Sequence, residues 1–281
     1  MIIAGIHVIR RLLFVVALIL NTLIIPGVFN LINLVPVLVF KRSFPIASNT
    51  YYLWSKINAW ILFRLHPCQW ELPNVDNYHQ QHSIIISNHK SWLDILIISS
   101  LLQPKMPIIF FVMKSSLKWS LPMIGFSSYL FGYPMFSRPS YQAIKHNPAL
   151  AQADITALKV SFNRTKPYQC YCLFPEGTRI NRIDRVLGPP KYTALANLIN
   201  LMRQQNQPFN IIDIDIVYPK HQASLSEFIT QSTRMKIQLT QLDSSSFPDT
   251  QRYETDIASR GKFQRYFKRY WQQKAQRMTL S

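Results

Sequence analysis

The sequence predicts an α/β domain in which helices flank a mostly parallel central sheet, preceded by an N-terminal hydrophobic helical hairpin or a single membrane helix. Two observations predict this. Short apolar runs with strand character alternate with helix-length segments, and no charged residue occurs within 12–40. We therefore expect a membrane-anchoring segment at 1–45, the α/β domain at 46–250 and a basic amphipathic helix at 251–281.

The uncharged run is flanked by an arginine pair at 10–11 and by Lys41-Arg42. As one straight helix it would be about 43 Å long, against a hydrocarbon core of about 30 Å. Pro26-Gly27 lies at its middle and can divide it into two short helices. We therefore favour a hairpin that enters the membrane and returns to the cytoplasmic side, with a tilted single span as the alternative.

The region after the anchor contains an aromatic-rich, helical stretch within 43–82 and then alternating strands and helices. The predicted strands are Ser83–Ser87, Ile108–Met113, Tyr129–Phe136, Tyr168–Phe174, Ile211–Tyr218 and Met235–Leu239. The predicted helices are Trp92–Leu102, Ala149–Phe162 and Thr193–Arg203. Because strands alternate with helices, the sheet is predicted to be largely parallel.

The C-terminal segment combines many basic residues with aromatic residues at helical spacing. The aromatic residues are Phe263, Tyr266, Phe267, Tyr270 and Trp271. Such a helix either packs its aromatic face on the domain or inserts that face among lipid head groups, and the sequence leaves both possibilities open.

Composition limits the classes of function. The chain has 31 Lys and Arg against 13 Asp and Glu, a formal net charge of +18, with 48% hydrophobic residues. A folded protein of this charge favours an anionic partner, either a membrane surface or nucleic acid. Its seven glycines lack the spacings of dinucleotide-binding loops, P-loops and GxSxG nucleophile elbows. Its three cysteines have no repeating spacing and suggest a reducing compartment.

The first candidate catalytic motif is NHKSWLD at 88–94, directly after the predicted strand Ser83–Ser87. His89 and Asp94 would stand on different faces of one helix, so their side chains meet only if His89 precedes the helix. Ser91 is a suitable N-cap and allows this, and Asp94 could equally serve that cap. A carboxylate on one ring nitrogen would leave the imidazole able to take a proton on the other at neutral pH.

Three further motifs contain candidate ligand groups. FPEGTR at 174–179 follows a predicted strand and offers a tight turn, a hydroxyl and a guanidinium, which suits a phosphate. GYPMFSR at 132–138 ends in Arg138, and KSSLKWSLPMIG at 114–125 begins with Lys114. Each motif alone also fits an ordinary turn or a solvated surface residue.

Taken in this order, the four motifs resemble those of the glycerolipid acyltransferase family typified by bacterial 1-acylglycerol-3-phosphate (lysophosphatidate) acyltransferases. The resemblance covers about residues 80–220 and the hydrophobic N-terminus. It implies an enzyme of the bacterial inner membrane, facing the cytoplasm, that moves a fatty acyl group from acyl-CoA or acyl-carrier protein to the sn-2 hydroxyl of lysophosphatidate. It also implies no metal and no cofactor beyond the acyl thioester.

The resemblance makes His89 the general base and Asp94 the residue that orients it. It assigns binding of the acceptor and its phosphate to Lys114, Arg138, Glu176, Gly177, Thr178 and Arg179. Nothing in the sequence resembles an activated Ser or Cys, so we expect direct transfer without an acyl-enzyme. Two segments depart from the family pattern: LGPPK at 187–191 replaces a Phe-Lys-x-Gly stretch, and Ile214–Pro219 matches the last block only loosely.

The sequence is compatible with several alternative functions. The acceptor could be another lysophospholipid or a lipid A precursor. The protein could instead be a non-catalytic binder of anionic lipid or nucleic acid, although a resemblance to lipid enzymes makes nucleic acid the less favoured partner. A metal site at His79-x-x-His82 is weaker, because no cysteine or acidic residue stands nearby at ligand spacing.

Overall fold

The structure is a computed structural model of the chain. It describes residues 2–40, 46–78, 81–103, 106, 108–121, 123–164, 169–179, 186–219, 228 and 234–280. Four residues named above, Lys41, Arg42, His79 and Tyr168, lie outside this described part. The chain divides into two compact units, the first made of Met1–Cys68 and Ile95–Pro167 and the second of Gln69–Asp94 and Tyr168–Ser281.

The helices and strands follow the predicted alternation. The helices are α1 (Ile2–Phe40), α2 (Ile46–Trp60), α3 (Leu93–Leu102), α4 (Leu117–Ser120), α5 (Ile124–Phe131), α6 (Tyr141–His146), α7 (Leu150–Arg164), α8 (Thr193–Gln204) and α9 (Ile257–Leu280). The strands are β1 (Gln69–Glu71), β2 (His82–Ser87), β3 (Ile109–Phe111), β4 (Met113–Lys114), β5 (Met135–Phe136), β6 (Cys170–Leu173), β7 (Phe209–Val217) and β8 (Arg234–Leu242).

The hairpin break favoured at Pro26-Gly27 is wrong, because α1 continues through both residues. A proline inside a helix removes one backbone hydrogen bond, but packing against α5 holds this stretch in place. Ser127 on α5 donates from Oγ to the carbonyl oxygen of Pro26 at 3.4 Å and to Oδ1 of Asn30 at 2.7 Å. Such contacts between distant residues leave no trace in local sequence spacing.

One face of α1 is buried and the other is exposed and apolar. On the buried face, Asn21 Nδ2 donates to Oδ1 of Asn58 on α2 at 2.8 Å, and Phe14 is fully buried. On the outer face, exposure reaches 75% at Leu31. Over the described residues, one helical stretch, Val8–Leu34, is long and apolar enough to cross a membrane, so α1 is a candidate membrane span.

The second unit is built on a mostly parallel sheet, as predicted. Among its described residues, five strands run in the order β1-β8-β7-β2-β6. Strand β2 is parallel to both β6 and β7, and β1 is parallel to β8, whereas β7 and β8 are antiparallel. Ile84, Ile85 and Ile86 in β2 are all fully buried, as expected of a central strand covered on both faces. The predicted α/β fold is confirmed.

The strand predicted at Tyr129–Phe136 is wrong over its first part. Helix α5 occupies Ile124–Phe131 and ends at Gly132, which has a φ of +83° in the left-handed region. Only Met135–Phe136 is extended, and it pairs with Met113–Lys114. The aromatic run has the composition of a strand, but the glycine after it is a typical helix C-cap.

The aromatic face of α9 packs on the second unit, which is one of the two possibilities that the sequence left open. Phe263 and Phe267 are fully buried, and Trp271 is 3% exposed. Lys274 is also fully buried and forms ion pairs with Asp213 and Asp215 on β7. The helix is therefore fixed to the sheet by both apolar and ionic contacts.

Candidate active site

The candidate site lies in the second unit, where three parallel strands end at the same edge of the sheet. His89 follows β2, FPEGTR follows β6, and Tyr218 follows β7. The carboxyl ends of parallel strands are a common location for reactive side chains, because the loops after them converge there.

His89 and Asp94 meet as the sequence analysis required. Helix α3 begins at Leu93, so His89 precedes it, and His89 Nδ1 lies 2.9 Å from Asp94 Oδ2. The same oxygen accepts from the backbone amides of Lys90 at 2.7 Å and Ser91 at 2.9 Å. Asp94 therefore caps the start of the helix and also contacts the imidazole, so the capping and orienting interpretations are compatible.

The second oxygen of Asp94 accepts a hydrogen bond from the hydroxyl of Tyr218. Both side chains are buried, and burial together with the charge of Asp94 raises the pKa of Tyr218 well above its ordinary value. This contact was not predicted from the sequence. The available signal was that Tyr218 ends a predicted strand, but the neighbour of that strand in the sheet could not be identified from spacing.

The backbone around His89 is held from two other sides. Asn88 Nδ2 donates to the carbonyl of Ile216 at 2.9 Å, and Asn88 Oδ1 accepts from the amide of Ile216 at 2.9 Å. The imidazole stacks on Phe174 with ring centroids 4.0 Å apart. When Nδ1–H donates to Asp94, the lone pair of Nε2 is the one that can take a proton.

Glu176 is a buried carboxylate bound to two backbone amides. It accepts from the amide of His89 at 2.7 Å and from the amide of Gly188 at 3.0 Å. Burial raises the pKa of Glu176 to about 7, although the two amides favour its charged form. Glu176 therefore links the main chain of His89 to that of Gly188, and the acceptor binding predicted for it stays a prediction.

The rest of the FPEGTR motif forms a tight turn beside cationic side chains. Gly177 has a φ of +72°, in the left-handed region that favours glycine, and the flexible Lys191 side chain passes close to its Cα. Thr178 and Arg179 are exposed, and the Arg179 guanidinium lies 4.3 Å from the centroid of the Trp92 ring. The turn therefore presents the Thr178 hydroxyl and the Arg179 guanidinium, and the exposed Lys191 lies beside it.

Lys90, between the candidate base and the N-cap, is half-buried. Burial lowers the pKa of Lys90, and the charges of Glu176 and Asp94 partly offset this. Lys90 belongs to the NHKSWLD motif, from which no role was predicted for it.

Lys114 and Arg138 belong to the first unit. Lys114 is exposed at the end of β4. Arg138 has a φ of +50°, and its backbone amide donates to Asp154 Oδ2 at 3.1 Å, while Asp154 Oδ1 accepts from the amide of Ser137 at 2.7 Å. Burial lowers the pKa of Arg138, and Asp154 opposes this. Binding of the acceptor by Lys114 and Arg138 stays a prediction.

The segment LGPPK, which departs from the expected family pattern, contacts the FPEGTR turn directly. The amide of Gly188 binds Glu176, and the amide of Lys191 donates to the carbonyl of Pro175 at 2.7 Å. The indole Nε1 of Trp271 on α9 donates to the carbonyl of Gly188 at 2.8 Å. The LGPPK segment is thus fixed by hydrogen bonds to the FPEGTR turn and to α9.

Fold and site together define an α/β enzyme with a carboxylate-oriented histidine suited to general base chemistry. A sequence model of the Acyltransferase family matches residues 70–217, more than half of the chain, and the chain belongs to this family. The family membership makes it an acyltransferase.

The chain is also similar to a solved structure, the 1-acyl-sn-glycerophosphate (LPA) acyltransferase PlsC from Thermotoga maritima. The TM-score is 0.58 at 15% sequence identity, over 94% of this chain and 95% of that chain. At this identity the likeness shows a shared fold. A comparison with curated protein sequences found no match.

Proposed function

We propose that the enzyme transfers a fatty acyl group from acyl-CoA or acyl-carrier protein to the sn-2 hydroxyl of 1-acylglycerol-3-phosphate, giving phosphatidate. Membership of the Acyltransferase family supports the acyl transfer. The choice of acceptor draws support from the FPEGTR turn and from the shared fold with a protein described as an LPA acyltransferase.

The observation that carries the mechanism is the contact between His89 and Asp94, at 2.9 Å. His89 Nε2 takes the proton of the acceptor hydroxyl as its oxygen attacks the thioester carbonyl. The C–S bond then breaks, and the thiolate leaves and takes up the proton from the imidazolium. Asp94 holds the ring and stabilises the imidazolium, as a buried carboxylate does in other acyl-transfer sites.

The state of the cysteines supports direct transfer without an acyl-enzyme. Cys68, Cys170 and Cys172 are all buried. Burial raises the pKa of Cys170 and of Cys172 well above the ordinary thiol range, so these thiols stay protonated at neutral pH. A protonated, buried thiol is a poor nucleophile for a thioester.

The acceptor phosphate is proposed to bind at the FPEGTR turn. Arg179 is exposed there and offers a bidentate fork, Thr178 offers a hydroxyl, and Gly177 allows the backbone to approach closely. Lys114 and Arg138 are proposed as additional phosphate contacts. The exposed apolar face of α1 is proposed to hold the enzyme at the cytoplasmic face of a bacterial inner membrane.

The direct test is turnover in mixed micelles, with lysophosphatidate compared against other lysolipids and acyl-CoA compared against acyl-carrier protein. H89A is expected to lose activity by a factor on the order of at least a hundred while micelle binding persists. H146A, which removes an exposed histidine on α6, is the matched control and should keep wild-type turnover. Near-normal turnover by H89A would contradict the mechanism, and a preference for another lysolipid would contradict the proposed acceptor.

A further inference from the structure

A chain of hydrogen bonds connects α9 to the backbone of His89. Trp271 Nε1 donates to the Gly188 carbonyl at 2.8 Å, and the Gly188 amide donates to Glu176 Oε1 at 3.0 Å. Glu176 Oε2 accepts from the His89 amide at 2.7 Å. Trp271 and Glu176 are 3% and 5% exposed, so water competes little for these bonds.

At the α9 end of this hydrogen-bond chain, ion pairs and a hydrogen bond attach the helix to β7. Lys274, one turn after Trp271, donates to the carbonyl of Ile214 at 2.8 Å and pairs with Asp215 at 2.6 Å. Arg277 pairs with Asp213 at 3.0 Å. All of the acceptors belong to β7, the strand that lies beside β2 in the sheet. Trp271 is therefore held in place relative to the strand that leads into His89.

We propose that Trp271 is a positioning residue for acyl transfer, which acts by fixing Gly188 and, through the Glu176 carboxylate, the main chain of His89. This inference rests on the proposed function. It assigns α9 a place in the working site, although α9 follows the region matched by the family model, which ends at residue 217. It also gives the LGPPK segment a role, since its glycine is the middle member of the chain.

The positioning role of Trp271 differs from simple packing because it depends on the charge of Glu176. Four neighbours act on this carboxylate: the amides of Gly188 and His89 and the charge of Lys274 favour ionisation, whereas Asp94 opposes it. Lys90 also lies close enough for its charge to interact with Glu176. Because burial already raises the pKa of Glu176 to about 7, loss of the Gly188 contact raises it further and protonates Glu176 at neutral pH. The His89 amide then loses a charged acceptor.

The test compares W271F with F263L in the full-length enzyme. W271F keeps an aromatic ring but removes the Nε1–H donor, whereas Phe263 is fully buried on the same helix and takes no part in the hydrogen-bond chain. We expect W271F to lower kcat by about tenfold with KM nearly unchanged, since a small displacement of the base is enough for this. Its activity should also need a higher pH than wild type to reach its plateau. F263L should lower Tm at least as much while keeping the wild-type kcat and pH profile.

Hydrogen exchange supplies a readout that does not depend on turnover. Amides in peptides covering 86–91 and 186–190 should exchange faster in W271F than in wild type, and at wild-type rates in F263L. Unchanged exchange in W271F, or losses of kcat in both variants that follow their losses of Tm without a shifted pH profile, would overturn the inference. Absence of acyl transfer by the wild-type enzyme would count against the proposed function instead, and the exchange result would still test the hydrogen-bond chain.

Discussion

Asp94 and Asp213 are two buried carboxylates with similar surroundings but different basic partners. Each accepts a hydrogen bond from a tyrosine hydroxyl, Tyr218 for Asp94 and Tyr270 for Asp213. The basic partner differs: the side chain of His89 is 14% exposed, whereas that of Lys274 is fully buried. An imidazole that is partly open to the site suits the proton transfer proposed for His89, whereas a sealed lysine between two carboxylates attaches α9 to the sheet.

The largest expected effect separates the two carboxylates by activity. D94N should lower kcat by about a thousandfold, because the amide cannot stabilise an imidazolium and favours the wrong tautomer of His89. Steady-state kinetics in mixed micelles measures this, and D249N, which neutralises an exposed carboxylate outside both pairs, serves as the control. Retention of more than a tenth of the wild-type kcat in D94N would remove the basis for assigning catalysis to Asp94.

The next effect concerns stability. K274M should destabilise the protein by about 3 kcal/mol, because it leaves Asp213 and Asp215 buried without their main counter-charge. Thermal unfolding in detergent micelles measures the change. K262M removes an exposed lysine from the same helix and should leave Tm within a degree or two. Equal Tm values for K274M and K262M would show that the buried ion cluster does not anchor α9.

The smallest expected effect compares the two tyrosines directly. Y218F should lower kcat by about tenfold, because Asp94 then loses one of the bonds that fix its orientation. Y270F should leave kcat near the wild-type value and lower Tm by a few degrees. We therefore expect a loss of kcat in Y218F and a loss of Tm in Y270F. Matching defects in both would mean that the two carboxylates are not functionally distinct.

The parts of the structure that were predictable from sequence depend on local patterns. The position of His89 before α3 was predictable because a capping serine and a polar motif follow a short apolar run. All of these signals lie within a few residues of one another. The alternation of strands and helices likewise predicted the parallel sheet. The helix bounds at α3, α7 and α8 agree closely with the predicted ranges for the same reason.

The parts that were missed depend on contacts between distant residues. Pro26-Gly27 signals a break, but packing against Ser127 keeps α1 continuous. Tyr218 reaches Asp94 only because β7 lies beside β2, and Trp271 reaches Gly188 only because α9 packs on the sheet. Strand order and helix docking correspond to no fixed spacing in a sequence. The contacts of Tyr218 and Trp271 were therefore not predictable from the residues next to them.

The hydrogen bond from Trp271 to the Gly188 carbonyl is the last part of the chain behind His89 to form during biosynthesis, because α9 is made after the other elements that take part. At about 5–20 residues per second, synthesis of α9 follows that of α1 by some tens of seconds. Helix α1 is therefore available to reach a lipid surface while the hydrogen-bond chain behind His89 is still incomplete. Completion of the hydrogen-bond chain behind His89 therefore waits until α9 has been made and has packed on the sheet.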